Sequence, residues 1–148
     1  MIRAARPEDA PAITRLLAQL DYPGTESFLP GRLAQLLADP AETILVYEAN
    51  PDAKAGPDSQ ILGFLSLHFI PQIALPGDFA RISYFSVDTE ARSAGIGRQL
   101  EEHATQLARE KNCELIEVHC HTRRTRAHEF YYRQGYTESP KYLVKKLK

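Results

Sequence analysis

Two glycines between a strand-like segment and a long amphipathic helix indicate a binding site for an anion. Residues 92–98 read Arg-Ser-Ala-Gly-Ile-Gly-Arg. Gly95 and Gly97 can adopt backbone angles closed to other residues, so the chain can turn sharply and direct its N–H groups at a bound oxyanion. The following helix adds unpaired N–H donors and the positive end of its dipole, while Arg92 and Arg98 add full charges. A phosphate or pyrophosphate is the expected ligand.

The spacing of residues in this loop separates the classes of phosphorylated ligand. A dinucleotide-binding loop requires a third glycine, and Leu100 stands at that position. A nucleoside triphosphate loop requires Gly-Lys followed by Ser or Thr, and the sequence contains no such tripeptide. The remaining pattern, Arg-x-x-Gly-x-Gly after Val87-Asp88, resembles the pyrophosphate loop of the GNAT family of N-acetyltransferases, which bind acetyl-coenzyme A.

A second block of sequence resembles the same family. Residues 127–136 read Ala-His-Glu-Phe-Tyr-Tyr-Arg-Gln-Gly-Tyr. They are similar to the family's late helix and turn, which is usually Ala-x-x-Phe-Tyr followed by Gly-Phe or Gly-Tyr, and the two blocks stand in the family's order. The resemblance implies an α/β (α+β) fold. It would be a GNAT-like three-layer sandwich, with a mixed, mostly antiparallel central sheet of about six to seven strands and helices on both faces.

Hydrophobic periodicity and turn residues divide the chain into alternating strands and helices. Strands are predicted over 1–5, 43–48, 60–70, 79–87, 113–120 and 141–147. Helices are predicted from near Pro7, from near Leu29, directly after the loop and over 124–134. A turn-rich hairpin loop, predicted to be mobile, occupies 50–58.

Length and composition indicate one domain that binds a small molecule. The 148 residues match one ordinary domain, 1–148, and leave no room for a second. Lys and Arg total 18 against 19 Asp and Glu, so neither nucleic acid nor an anionic membrane is an expected partner. The N-terminus lacks the apolar run of a signal peptide, and no segment is long and apolar enough to span a bilayer. We therefore expect a cytoplasmic protein.

The two cysteines do not indicate a metal site. The spacing of Cys113 and Cys120 matches neither a redox pair nor a zinc-ligand pair. His119 and His121 flank Cys120, but neighbours on a strand point to opposite faces and cannot converge on one ion. We expect two reduced, packed thiols and no metal.

Acetyl transfer from a thioester to an amine needs a neutral nucleophile, a stabilised oxyanion and a proton for the departing thiolate. The resemblance implies that Tyr131 donates that proton, with Tyr132 as the substitute if the helix is rotated. A backbone N–H within 85–87 would hold the oxyanion, and such donors contribute on the order of 3 kcal/mol. The residues expected to bind the cofactor are Phe85, Ser86, Val87, Arg92, Ser93, Ala94, Gly95, Ile96, Gly97, Arg98, Arg124 and Tyr131.

The general base is where the sequence departs from the family. Many members carry Glu on the strand before the loop, whereas this chain has Ser-Tyr-Phe-Ser at 83–86. A lysine-like amine has a pKa of about 10.4, so a base, or a water chain to one, is needed near neutral pH. Glu117 and His119 are the alternatives because they share one face of the predicted strand. A structural interpretation is equally open: the two side chains could form an internal hydrogen-bonded pair, or they could lie at a solvent-exposed end of the strand. The expected acceptor-side residues are Tyr22, Phe28, Tyr84, Glu117 and His119.

The leading hypothesis is an acetyl-coenzyme A-dependent N-acetyltransferase whose acceptor, a small primary amine, attacks directly in a ternary complex. The missing strand glutamate leaves a second hypothesis open, a module that binds acetyl-coenzyme A as a sensor or regulator without catalysis. A third hypothesis is acetylation of peptides or proteins at N-termini or lysines. Homodimers are common in the family, and no stripe in this sequence demands one.

Overall fold

A computed structural model describes residues 1–52, 60–139 and 141–148 of the chain. Within those ranges the five strands are Ile2–Ala4 (β1), Glu42–Glu48 (β2), Ile61–Ile70 (β3), Phe79–Val87 (β4) and Leu115–Val118 (β5). The four α-helices of the same ranges are Ala10–Gln19 (α1), Leu29–Ala38 (α2), Ile96–Glu110 (α3) and Thr125–Arg133 (α4). Most of the hairpin loop predicted over 50–58 lies outside the described residues.

The strands form one sheet in the order β1-β2-β3-β4-β5. Strands β1 to β4 are antiparallel to their neighbours, and β5 runs parallel to β4 because α3 connects them as a crossover. Pairing of β4 with β5 ends at Ile82 and Val118. The rest of β4 has no strand partner on that side among the described residues, so a gap opens at the carboxyl ends of the two strands.

A bulge in β4 lies where the strand leaves β5. Ser66 of β3 pairs with Tyr84, whereas the next residue, Leu67, pairs with Ile82. Ser83 is therefore an extra residue in β4. Because a bulge bends a strand and increases its local twist, this one helps to turn the end of β4 away from β5.

Two layers of helices cover the sheet. Helices α1 and α2 pack on one face, where Leu16 and Val46 are fully buried. Helix α3 packs on the other face through Leu100 and Ala104, which are also fully buried. Alternation along β2 divides the core, since Val46 belongs to the α1 side and its neighbour Leu45 to the α3 side. The three-layer α/β sandwich expected from the sequence is confirmed.

The predicted count of six to seven strands is wrong, since the described residues form five strands. The strand expected over 141–147 does not form, and Tyr142, Leu143 and Leu147 of this segment are 64%, 85% and 88% exposed. Lys145 and Lys146 place a charge on each face of a period-two segment, so neither face is continuously apolar. The strand predicted over 113–120 is shortened to β5.

Candidate active site

The predicted anion loop connects the carboxyl end of β4 to the first turn of α3, which begins at Ile96. Ser93 and Gly95 have positive φ angles of 72° and 79°, and the chain turns sharply through them. Gly97 lies inside α3 and is not one of the glycines with positive φ. The expectation of an unusual backbone angle is therefore correct for Gly95 and wrong for Gly97.

The space in front of the loop is open. A Cβ placed on Gly95 would meet only the Gln99 side chain, at 3.9 Å. A Cβ on Gly97 would lie 3.6 Å from Val87 and 3.7 Å from Phe85 and Phe130. The unpaired N–H groups of the first turn of α3 face this space at the positive end of the helix dipole. This donor set suits a pyrophosphate group.

Asp88 fixes the start of the loop to α1. Asp88 is 8% exposed, and its Oδ1 accepts the Glu90 N–H at 3.0 Å. Its Oδ2 is paired with Arg15 and accepts from Gln19, both on α1. Burial alone would raise the pKa of Asp88, but these donors outweigh burial and the pKa is lowered. The charged carboxylate therefore anchors the loop to the opposite helical layer.

A cleft of about 800 Å³ lies between the end of β4, the anion loop and α4. Its volume falls within the range of small-molecule and cofactor sites. The predicted cofactor residues in its wall are Phe85, Ser86, Val87, Arg92, Ser93, Gly95, Ile96, Gly97, Arg98, Arg124 and Tyr131. Ala94 is the one predicted cofactor residue outside this wall. Ser86 donates its hydroxyl to the Leu16 carbonyl at 3.1 Å, so that side chain is engaged with α1.

The cleft is cationic although the chain as a whole is nearly neutral. Among the described residues, its wall contains six arginines and no carboxylate: Arg92, Arg98, Arg123, Arg124, Arg126 and Arg133. Two of these, Arg98 and Arg124, lie near carboxylates outside the wall, those of Glu102 and Asp21. These residues come from the anion loop and from α4 with the turn before it, two segments that the fold brings together. Guanidinium groups match phosphate geometry well, so the wall is complementary to a ligand with several phosphates. The sequence predicted Arg92, Arg98 and Arg124 at the cofactor, whereas Arg123, Arg126 and Arg133 of the same wall were not among the expected residues.

Tyr131 stands in the wall of the cleft, between two other aromatic rings. Its ring centroid lies 6.4 Å from that of Phe85 and 5.3 Å from that of Tyr136. The pKa of Tyr131 is raised. Burial is the largest cause, and nearby Cys120 and Glu101 add to it. The phenol therefore keeps its proton at neutral pH and can donate it. The alternative, Tyr132, is 54% exposed and lies outside the cleft wall.

Arg124 joins the start of α4 to the end of α1. Its Nη2 donates to the Leu20 carbonyl at 3.0 Å and lies 3.6 Å from Oδ2 of Asp21. Asp21 has a positive φ of 68° in the turn that ends α1. Arg124 thus lines the cleft and also holds the α1–α2 connection beside it.

The aromatic residues expected on the acceptor side lie beside this connection. Tyr22 and Tyr84 form an edge-to-face pair with ring centroids 5.3 Å apart, and both rings are substantially exposed. Phe28 is also exposed, directly before α2. All three residues are exposed outside the cationic cleft.

Glu117 and His119 do not form the pair expected from strand periodicity. Glu117 is in an ion pair with Arg81, with Nε of Arg81 donating to Oε1 at 2.8 Å. His119 follows the end of β5, is exposed and stacks on Tyr142 with ring centroids 4.5 Å apart. The internal-pair interpretation of Glu117 is therefore the one that its geometry favours, with Arg81 in place of His119.

The two cysteines are free, and burial raises the pKa of each thiol. In the part of the chain that the structure describes, no group of three His, Cys, Asp or Glu could hold a metal ion. No helix within the same part is long and apolar enough to cross a membrane.

Asp88 and Glu101 are two carboxylates that the sequence analysis did not single out. Asp88 directly follows β4, where an N-capping residue for the next turn could have been recognised. Glu101 is 3% exposed on α3. Its spacing to Ala104 and Ala108 places it on the buried face of that helix, which was the available signal.

Comparison with known proteins identifies the class to which this fold and loop belong. The model of the "Acetyltransferase (GNAT) family" matches residues 11–136. The chain belongs to the GNAT family of acetyltransferases. Membership and the relatives described next support an acetyl-coenzyme A-dependent N-acetyltransferase.

A curated relative is the aminoalkylphosphonate N-acetyltransferase of Salmonella typhimurium, which is 29% identical over an alignment of 143 positions that covers 93% of this chain and 85% of that protein. The crystal structure of a transcriptional regulator from Bacillus halodurans is similar, with a TM-score of 0.86, 23% identity and 99% coverage of both chains. Glucosamine-6-phosphate N-acetyltransferase from Arabidopsis thaliana superposes with a TM-score of 0.82 at 19% identity, over 100% of this chain and 98% of that one. The two structures show the shared fold.

Proposed function

We propose that the chain transfers the acetyl group of acetyl-coenzyme A to a primary amine of a small molecule, which attacks directly in a ternary complex. The observation that carries this proposal is the cationic cleft, which has an anion loop on one wall and the Tyr131 phenol on another. When bound, acetyl-coenzyme A supplies the acetyl group as an activated thioester.

The chain's own residues supply the binding part of the mechanism. The N–H groups at the start of α3 and the arginines of the cleft wall would hold the phosphates of the cofactor. The end of β4 beyond Ile82 has no strand partner on the β5 side among the described residues. Its backbone N–H groups within 85–87 are therefore available to bind the cofactor and to stabilise the developing oxyanion.

Tyr131 would act as the general acid. As the amine nitrogen forms its bond to the carbonyl carbon and the carbon–sulfur bond breaks, the phenol would give its proton to the departing sulfur. The nitrogen would lose its surplus proton to water as the amide forms, and the phenolate would regain a proton from water. Burial keeps the pKa of Tyr131 raised, so the proton is present throughout the neutral range. General acid catalysis of this kind contributes about 10²–10⁴-fold to a rate.

The acceptor ammonium must lose a proton before it attacks. Glu117 is held by Arg81 and is not a free carboxylate. We therefore assign proton removal to water at the mouth of the cleft, which passes the proton to solvent. This route makes the rate depend on the fraction of neutral amine, and that fraction rises with pH up to the pKa of the amine.

The acceptor class is proposed from the relative and from the charge of the site. The Salmonella relative is named for aminoalkylphosphonates, small molecules that carry both a primary amine and an anionic group. An aminoalkylphosphonate is therefore the first acceptor to test, followed by amino sugars bearing a phosphate, amino acids, polyamines, aminoglycosides and short peptides.

The test has two arms. Calorimetry with acetyl-coenzyme A measures cofactor binding, and thiol release measured across the amine panel detects transfer. Binding together with turnover of at least one small amine supports the proposal, and absence of cofactor binding contradicts it. Tight binding without turnover of any amine would favour a sensor or regulatory module, a second candidate that the engaged state of Glu117 favours. Turnover of peptides alone would indicate a protein acetyltransferase.

A further inference from the structure

Glu101 is a buried carboxylate on α3, one turn beyond the anion loop. It is 3% exposed, and its Oε1 accepts from the Thr105 hydroxyl at 2.6 Å and the Tyr136 hydroxyl at 3.0 Å. Its Oε2 accepts from the Gln134 amide at 2.8 Å. Among the described residues no Lys, Arg or His forms an ion pair with Glu101. The carboxylate is therefore satisfied by three neutral donors.

Stability alone does not account for a carboxylate at this position. Removing a charge from water is costly even when the group is hydrogen-bonded. An aliphatic residue here would extend the apolar stripe that Leu100 and Ala104 already form on α3. The carboxylate provides something that an aliphatic side chain lacks, namely fixed contacts to two residues just beyond α4.

Those two residues belong to the turn that follows Tyr131. Gly135 has a positive φ of 93°, and the Tyr136 N–H donates to the Tyr131 carbonyl at 3.0 Å. The Gln134 N–H donates to the Tyr131 carbonyl at 3.1 Å. The Tyr136 ring then meets the Tyr131 ring edge to face at 5.3 Å. Glu101 is therefore linked to Tyr131 indirectly. It holds Gln134 and Tyr136, and each of these two residues contacts Tyr131.

We propose that Glu101 is a positioning residue for acetyl transfer, holding the turn 134–136 on α3 so that Tyr136 keeps the Tyr131 phenol in the cleft wall. This inference rests on the proposed function. After burial and Cys120, the charge of Glu101 is a further cause of the raised pKa of Tyr131. A phenol is protonated at neutral pH without that contribution, so the role of Glu101 is to fix the place of the phenol.

The test compares Glu101→Gln and Tyr136→Phe with wild type and with Glu110→Gln, which removes an exposed carboxylate at the far end of the same helix. In folded protein, kcat should fall about tenfold in each test variant, since small displacements of catalytic groups cost up to about 100-fold. The dissociation constant of acetyl-coenzyme A should stay within about twofold. The double variant should lose little more than the worse single variant, because the two groups act through one contact. Glu110→Gln should match wild type.

A second readout needs no turnover. With 3-fluorotyrosine incorporated, the 19F resonance of Tyr131, assigned by its loss in Tyr131→Phe, should shift in Glu101→Gln and stay in place in Glu110→Gln. A lower melting temperature with unchanged kcat and an unchanged resonance would overturn the inference and leave a structural role. If wild type acetylates no amine, the proposed function fails, and the 19F comparison alone decides whether Glu101 positions Tyr131.

Discussion

Arg81 and Glu117 face each other across the parallel strands β4 and β5, one residue before the two strands separate. Nε of Arg81 donates to Oε1 of Glu117 at 2.8 Å, and both side chains are about one-third exposed. The carboxylate that strand periodicity placed among the candidates for a general base is thus part of a cross-strand ion pair.

Substitution of Glu117 tests this role. Glu117→Gln should change kcat by less than about threefold, whereas loss of a general base costs about 100-fold or more. Stability should fall by at most about 1 kcal/mol, as is usual for a partly exposed pair. Urea unfolding and steady-state assays measure the two quantities, with Arg81→Gln as the matched variant. A drop of 100-fold in Glu117→Gln alone would restore Glu117 as the base.

Removal of the Tyr131 hydroxyl should separate chemistry from binding. Tyr131→Phe keeps the ring between Phe85 and Tyr136 but has no proton to donate, so kcat should fall about 100-fold. Affinity for acetyl-coenzyme A, measured by calorimetry, should change little. Tyr132→Phe is the control because that ring is exposed outside the cleft. Equal turnover in Tyr131→Phe and wild type would remove Tyr131 from the mechanism.

Alkaline pH should destabilise the fold through its buried phenols. The pKa of Tyr131 and that of Tyr136 are both raised, chiefly by burial. An unfolded phenol ionises near pH 10. Below that pH both states hold the protons and these groups add no pH dependence. Above it the unfolded state releases protons first, so the free energy of unfolding falls as pH rises toward the folded pKa values. Urea titrations between pH 8 and 11 should show a shallower fall in Tyr131→Phe, and the wild-type slope in Tyr132→Phe.

The anchor at Asp88 should matter for both stability and cofactor binding. Asp88→Asn weakens the pairing with Arg15 in a buried setting, which should cost about 1–3 kcal/mol. Because the loop then loses its fixed start, the dissociation constant of acetyl-coenzyme A should rise several-fold. Glu90→Gln is the control, since the Glu90 side chain is exposed and its backbone N–H is retained. Unchanged affinity in folded Asp88→Asn would show that the loop holds its shape without this anchor.

Substitution of Gly97 by alanine should raise the stability of the fold and lower its affinity for acetyl-coenzyme A. Alanine favours a helix over glycine by about 1 kcal/mol, and its Cβ would make ordinary contacts with Val87, Phe85 and Phe130. Gly97→Ala should therefore raise the melting temperature. The same methyl group lies in the cleft wall and should weaken the binding of acetyl-coenzyme A. Gly95→Ala, at a positive φ, should lower both stability and affinity. A Gly97→Ala protein with undiminished cofactor affinity would contradict this account.

The parts of the site that could be predicted from the sequence are those formed by residues close together in the chain. The anion loop and the Phe130-Tyr131 pair each occupy a few consecutive residues, and both line the cleft. The Arg81–Glu117 pair depends instead on the register between β4 and β5, which no local pattern specifies. The six arginines of the wall are brought together only when α4 packs beside the loop. The strand predicted over 141–147 is a case where local residue type misled. Lys145 and Lys146 leave neither face of that segment continuously apolar, and no strand forms there.

The extra residue in β4 has a consequence for how this strand can change in evolution or by design. Ala80 and Ile82 pack toward α3 before Ser83, and Phe85 and Val87 do so after it. Deleting Ser83 would let Ile82 and Tyr84 pair with Leu67 and Ser66 as regular neighbours, so Phe85 and Val87 would keep their face. The bend and the added twist would be lost, and the end of β4 would no longer turn away from β5. Because the Ser83 side chain is itself exposed, the position should accept many residue types, whereas its deletion should narrow the gap between β4 and β5.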